Sequence, residues 1–274
     1  MIANFTSLLK RLINSRFRSI DDHIFFLHIP KCGGTSISNA ISRYYPFSKV
    51  NIGAESSSNA AKAIYQLNNA LENDYYYVLK LREKLLLYFM SEDIKFIRGH
   101  CSFGDIGYQK FKNKYKYITV LRHPVKRWLS HYFFNRYKSS SNHCRIKEDL
   151  AEFVQTEHGK KLGHEYVKFL GELDEQGNYT SKESIERAKS NLHKFDIIGC
   201  LEFLDDFLKQ FKDHFGVKLI IPEKNLNPKS ESYIKSVITE DIEEKINKIC
   251  EPDFEIYQYA IDKFVNRNFC TIYS

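Results

Sequence analysis

Three short segments carry residues whose types and spacing suit chemistry on a phosphorylated ligand. Residues 28–36 read HIPKCGGTS; they follow an apolar run and open a stretch with helical spacing. Two adjacent glycines let the backbone turn sharply and approach an anion closely. A helix N-terminus aims unpaired N–H groups and the positive end of its dipole at such an anion. Thr35 and Ser36 add hydroxyl donors, and Lys31 adds a mobile positive charge. A Walker A loop places its lysine after the second glycine. Here Lys31 precedes both Gly33 and Gly34, which disfavours a kinase or nucleotide triphosphatase. Taken without its neighbours, a Gly-Gly pair is also an ordinary strand-to-helix turn.

The second segment, residues 120–130, reads VLRHPVKRWLS. Arg122 ends a β-branched run and Ser130 follows eight positions later. On a helix that spacing spans roughly 12 Å, so a phosphate lying beside the first turns could meet both. The planar guanidinium of Arg122 suits phosphate. Read alone, the pair is equally a surface arginine and a helix serine. Lys126 and Arg127 read as solvated helix charges, Trp128 as a packing residue, and His123 and His131 as structural.

The third segment, residues 97–103, reads IRGHCSF and follows a short apolar run. Open α/β sheets bind ligands at that edge. An imidazole titrating near neutrality suits a base that takes a proton from a hydroxyl, which points to His100. Gly99 would let an acceptor approach closely. The other reading of His100 is a loop histidine capping a turn.

The elements that must hold these segments alternate between strand and helix patterns. Residues 23–29, 93–97, 116–121 and 196–200 read as short buried strands. Residues 35–44, 125–137 and 201–215 read as helices, with Pro124 where a helix would start. Residues 60–90 read as one or two helices broken near Asn73 and Asp74, and residues 239–265 as two helices meeting near Pro252. Residues 138–180 are polar and read as loops and short helices, and residues 222–233 as a loop. The pattern predicts an α/β fold, a mostly parallel sheet flanked by helices on both faces. No linker or repeat is evident, so residues 1–274 read as one domain with a basic, amphipathic extension at residues 1–22.

Lysine and arginine number 41 against 34 acidic residues, a balance of +7 that suits an anionic ligand or acidic polymer. No Lys/Arg-rich run or zinc-finger spacing supports nucleic acid as a partner. The six cysteines show no metal-ligand spacing and read as reduced, partly buried thiols. The apolar runs near the N-terminus are too short and interrupted for a signal peptide or membrane span. That predicts a cytoplasmic protein, with peripheral membrane contact through residues 1–22 as the alternative.

HIPKCGGTS resembles the 5′-phosphosulfate loop of the sulfotransferases that use 3′-phosphoadenosine-5′-phosphosulfate (PAPS), in particular the carbohydrate branch that holds heparan sulfate 2-O-sulfotransferase. The resemblance implies a P-loop-like three-layer fold. It implies PAPS as co-substrate, PAP as product and no metal. It assigns 5′-phosphate binding to Lys31, Cys32, Gly33, Gly34, Thr35 and Ser36, with Lys31 also assisting the leaving group. Arg122 and Ser130 match the family's 3′-phosphate pair. The Gly99-His100 segment resembles the one that carries the branch's catalytic base. Residues 225–230 look like a loop that closes over the nucleotide, which makes Lys229 and Ser230 candidate ligands. Residues 253–257 resemble a helix that packs on the core.

The function expected from the resemblance is sulfuryl transfer to a hydroxyl on a glycan or glycolipid. The same chemistry on a small molecule, lipid alcohol or peptide tyrosine is the runner-up. A nucleotide-binding module without turnover, and a protein associated with membranes through residues 1–22, are readings of other classes.

Overall fold

The computed structural model describes residues 19–66, 74–137, 145–175, 177–221 and 231–265. Its centre is a five-stranded sheet of β1 (His23–Leu27), β2 (Lys49–Ile52), β3 (Phe96–Gly99), β4 (Tyr115–Leu121) and β5 (Ile197–Cys200). The strand order is β2-β3-β1-β4-β5, and every adjacent pair runs parallel. Side chains of a strand alternate between faces, and β1 shows the consequence. Phe25 and Leu27 enter one hydrophobic cluster, while Ile24 and Phe26 enter the other. All four are fully buried, which stabilises the fold by about 1.5–3 kcal/mol each.

Helices cover both faces, giving three layers. Asp74–Ser91, Glu165–Leu170, Lys182–Leu192 and Glu251–Phe264 pack on the Phe25 face. Gly34–Ser42 and Leu204–Phe215 pack on the Phe26 face through Ile37, Ile41, Phe207 and Phe211. A third cluster joins Pro124–Tyr137 to Leu150–Phe153 and Glu240–Ile249 around Trp128, Phe153 and Ile246. Among the described residues no helix is long and apolar enough to cross a membrane. Cys32, Cys101, Cys200 and Cys250 are buried free thiols.

The expected α/β arrangement is thus present, with three local differences. The strand expected at residues 93–97 begins at Phe96, because Asp93 takes a left-handed φ of 61° and turns the chain out of the preceding helix. β2 gave no sequence signal: it is a short edge strand whose Lys49 and Asn51 are exposed and in which only Ile52 is buried. The helix Glu231–Val237 begins inside the stretch expected to be a loop.

Candidate active site

The topology brings the three segments together. β3, β1 and β4 are neighbours at the centre of the sheet, and their C-terminal ends lead into His100, the 28–36 loop and Arg122. Parallel strands lie about 4.8 Å apart, so residues more than ninety positions apart in sequence share a region about 10 Å wide. The edge is also tied directly: His28 N–H donates to the Gly99 carbonyl at 3.0 Å.

The 28–36 loop has the form of an anion cradle. Lys31 and Gly33 both take left-handed backbone, with φ of 68° and 72°. Gly33 is the N-cap of the helix Gly34–Ser42, with no side-chain cap and no acidic residue in the first turn. Backbone bonding starts with Ile37 N–H to Gly33 O at 3.4 Å. By helix geometry the N–H groups of Gly34, Thr35 and Ser36 then have no intrahelical acceptor. A Cβ on Gly34 would lie 2.2 Å from the His28 ring, so glycine is required there for packing as well. Thr35 is exposed and Ser36 half-buried. Cys32 turns away from the cradle: its thiol is buried, 3.6 Å from the Tyr166 hydroxyl, and burial pushes its pKa up to about 12. It can offer a ligand its backbone only.

Arg122 fastens this loop to β4. Its Nη1 donates to the Lys31 carbonyl at 3.1 Å. Its backbone N–H donates to the Tyr166 hydroxyl at 2.9 Å, and that hydroxyl donates to the Arg122 carbonyl. Ser130 is half-buried in the helix Pro124–Tyr137. One turn beyond it, the Phe134 ring lies under the Lys31 ammonium, 3.5 Å from the ring centroid.

His100 is held in a defined tautomer. Its Nδ1 lies 2.6 Å from the His28 carbonyl. A carbonyl only accepts, so Nδ1 carries the proton and Nε2 of the neutral ring keeps its lone pair. Burial lowers its pKa to about 4, so the ring is neutral at pH 7. The ring lies against that of His28, tilted by 34° with centroids 4.3 Å apart. Its carbonyl accepts from Nη1 of buried Arg82 at 3.1 Å, and Arg82 also donates to Ser57 Oγ at 2.8 Å and Ala54 O at 3.1 Å. His100 can therefore accept a proton at Nε2, and through His28 it adjoins the 28–36 loop.

Two expectations need correction. Gly99 is buried, and a Cβ there would lie 2.9 Å from Cβ of Ile52. That glycine serves the contact between β2 and β3 rather than an approaching acceptor. Arg127 is not a solvated charge: it is 0% exposed and faces Asp253 Oδ2 at 3.6 Å. Lys126 is exposed, as expected. Lys229 and Ser230 lie outside the described residues.

The sequence profile described as "Sulfotransferase family" matches residues 16–260. The chain belongs to this family. Heparan sulfate 2-O-sulfotransferase 1 of Mus musculus is 30% identical over 124 residues, 41% of this chain and 35% of that protein. The Homo sapiens protein of the same name is 29% identical over the same length. Heparan-sulfate 6-O-sulfotransferase 2 of Homo sapiens is 28% identical over 184 residues, 56% of this chain and 30% of that protein. These matches span about a third of the length of each relative.

In this sulfotransferase-family chain, several residues that support the site escaped the sequence reading. Arg82 lies in a stretch read as helix and Tyr166 in one read as loops and short helices, and nothing local marks either as supporting the site. Glu202 follows β5 and accepts from His123 N–H at 3.0 Å and the Tyr257 hydroxyl at 2.9 Å. Its place just beyond a strand's C-terminal end was the one available signal.

Proposed function

We propose that this chain transfers the sulfuryl group of PAPS to a sugar hydroxyl, with His100 as general base and Lys31 assisting the leaving group. One observation carries the reading: an acid-free helix N-terminus, Arg122 and a neutral histidine with a usable Nε2 converge at the ends of three adjacent strands. The residues fit the two anionic ends of PAPS. Three first-turn N–H groups and Lys31 suit the 5′ side. Arg122, with five N–H donors of which one goes to Lys31 O, suits the 3′-phosphate together with Ser130.

PAPS supplies an activated sulfur–oxygen bond whose cleavage leaves charge on a phosphate oxygen. His100 Nε2 takes the acceptor's proton as the new oxygen–sulfur bond forms. Lys31 and the helix N–H groups stabilise the charge left where the old bond breaks. A ring with so low a pKa then releases its proton to water readily.

A cavity of about 130 Å³ supports a carbohydrate acceptor. Tyr75, Tyr76, Tyr179, Lys161, His164 and Lys168 line it, together with Leu79, Gly177 and the carboxylates of Asp174 and Glu175. Arg82 joins it to the site, since its guanidinium lies 5.8 Å from the Tyr75 ring and donates to the His100 carbonyl. Tyrosine faces suit the C–H faces of a sugar, and the mixed lysine and carboxylate lining suits its hydroxyls. The names of the relatives point to the same class of acceptor.

The test is calorimetric titration with PAP. Wild type should bind, and Lys31→Ala with Arg122→Ala should not. Labelled PAPS with heparan sulfate should then give sulfated product, and His100→Ala should bind PAP without turnover. A folded wild type that ignores PAP would overturn the reading. PAP binding with turnover intact in His100→Ala would overturn the role of the base.

A further inference from the structure

We propose that Phe134 is a positioning residue that holds the Lys31 ammonium over the mouth of the phosphate loop, an inference that rests on the sulfuryl-transfer reading. The two residues lie on separate elements, more than one hundred positions apart in sequence, yet Lys31 Nζ stands 3.5 Å from the centroid of the Phe134 ring. A lysine side chain has four flexible carbons and does not hold one position unaided.

Phe134 stands apart from the third cluster. Its neighbours Trp128, Tyr132 and Phe133 are buried in the third cluster, while Phe134 is 43% exposed. It lies four residues beyond Ser130, on the same face of the helix Pro124–Tyr137. Lys31 is thus gripped twice by the segment that follows β4. Arg122 holds its carbonyl, and Phe134 holds its tip.

An aromatic face suits this task better than a carboxylate would. The ring attracts the cation through its quadrupole, so it neither neutralises the charge nor offers a lone pair that must be displaced. A phosphate oxygen makes a stronger, charge-assisted hydrogen bond and draws the ammonium off the ring. Lys31 is therefore kept near its point of use and released by the ligand itself.

Ring-current shifts test the contact directly. Lysines of the full chain are reductively ¹³C-methylated, and the Lys31 signal is assigned from its absence in Lys31→Arg. That signal should lie upfield in wild type and in Phe134→Tyr, and at the ordinary position in Phe134→Leu. PAP should return the wild-type signal towards the ordinary position. In transfer assays Phe134→Leu should lower kcat about 2- to 5-fold, the equivalent of an exposed cation–π contact. Its KM for PAPS should change less, and Phe134→Tyr should retain the wild-type rate. A merely structural role would lower Tm without separating kcat from KM.

An unshifted Lys31 signal in a wild type that binds PAP overturns the role of Phe134 alone, as does equal kcat in Phe134→Leu and Phe134→Tyr. Failure of wild type to bind PAP overturns the sulfuryl-transfer reading and this role with it.

Discussion

His100 must be uncharged to take a proton, and its surroundings make it so. Burial disfavours the imidazolium, and the His28 carbonyl fixes the proton on Nδ1. A consequence follows for pH dependence. In the proposed reaction the working form is the unprotonated ring, so activity should be lost as pH falls through the folded pKa. With that pKa near 4 rather than the usual 6.5, the acid limb of kcat/KM from this residue should lie near pH 4. A pH profile with labelled PAPS checks this; an acid limb centred near 6.5 would show a solvated base. His100→Gln should lower transfer by about 10²–10⁴-fold, the usual worth of general-base catalysis, and leave PAP affinity unchanged.

Elements matter here through what they fasten. The helix Glu165–Leu170 contributes Tyr166, whose hydroxyl bonds the backbone of Arg122 and approaches the Cys32 thiol. One buried phenol thereby sets the relative positions of the 28–36 loop and the end of β4. Tyr166→Phe keeps the ring but leaves the Arg122 N–H without its partner. A buried donor left unsatisfied costs about 1–3 kcal/mol. Chemical denaturation should show a loss of that size, and calorimetry should show weaker PAP binding. Full PAP affinity in a destabilised variant would show that Tyr166 supports the core alone. The Asp253 carboxylate in turn fixes this helix, accepting from Tyr166 N–H at 2.8 Å.

At the scale of the whole molecule, an oppositely charged pair is fully buried beside Tyr166. Arg127 and Asp253 are both 0% exposed and link two helices, and Arg127 also donates to the Leu162 carbonyl. Removing one member of a buried pair leaves the other uncompensated, at a cost of about 3–5 kcal/mol. Arg127→Met should lower stability in denaturant unfolding, by less than this where Asp253 is protonated, since burial already pushes that carboxyl up to about 7. Adding Asp253→Asn should recover much of it, since the amide oxygen can still accept from Tyr166 N–H.

Acid stability is a second property at this scale. Burial lowers His100 to about 4, His131 to about 3 and His164 to about 4. An unfolded histidine binds its proton near 6.5. Between these values the unfolded state holds more protons, so stability is fully present above about pH 6.5 and falls as pH drops towards 4. Asp253, pushed up to about 7 by burial against the pull of Arg127, acts in the opposite sense as a single group. Tm measured from pH 7.5 to 4.5 should therefore decline, and His131→Phe should reduce the slope. A flat profile would contradict the buried neutral histidines.

The sequence by itself determined the parts of this protein whose physics is local. Gly33 and Gly34 mark the loop because glycine adopts the left-handed backbone at Gly33 most readily and leaves room for the His28 ring at Gly34. The β-branched run before Arg122 marks a strand because its alternation must bury two faces. Arg122 and Ser130 could be paired because most of the stretch between them reads as helix. Tertiary structure alone decided the rest. Tyr166 and Arg82 reach the site across 44 and 18 positions, and no local pattern encodes such partners. Arg127 has the composition of a surface residue, and it is buried because Asp253, 126 positions later, stands opposite it. Strand β2 forms because β3 offers it an edge, not because its own residues demand one. Parallel pairing makes contacts between residues distant in sequence, so spacing could name the chemical groups at this sheet edge, and only the folded sheet could show what holds them there.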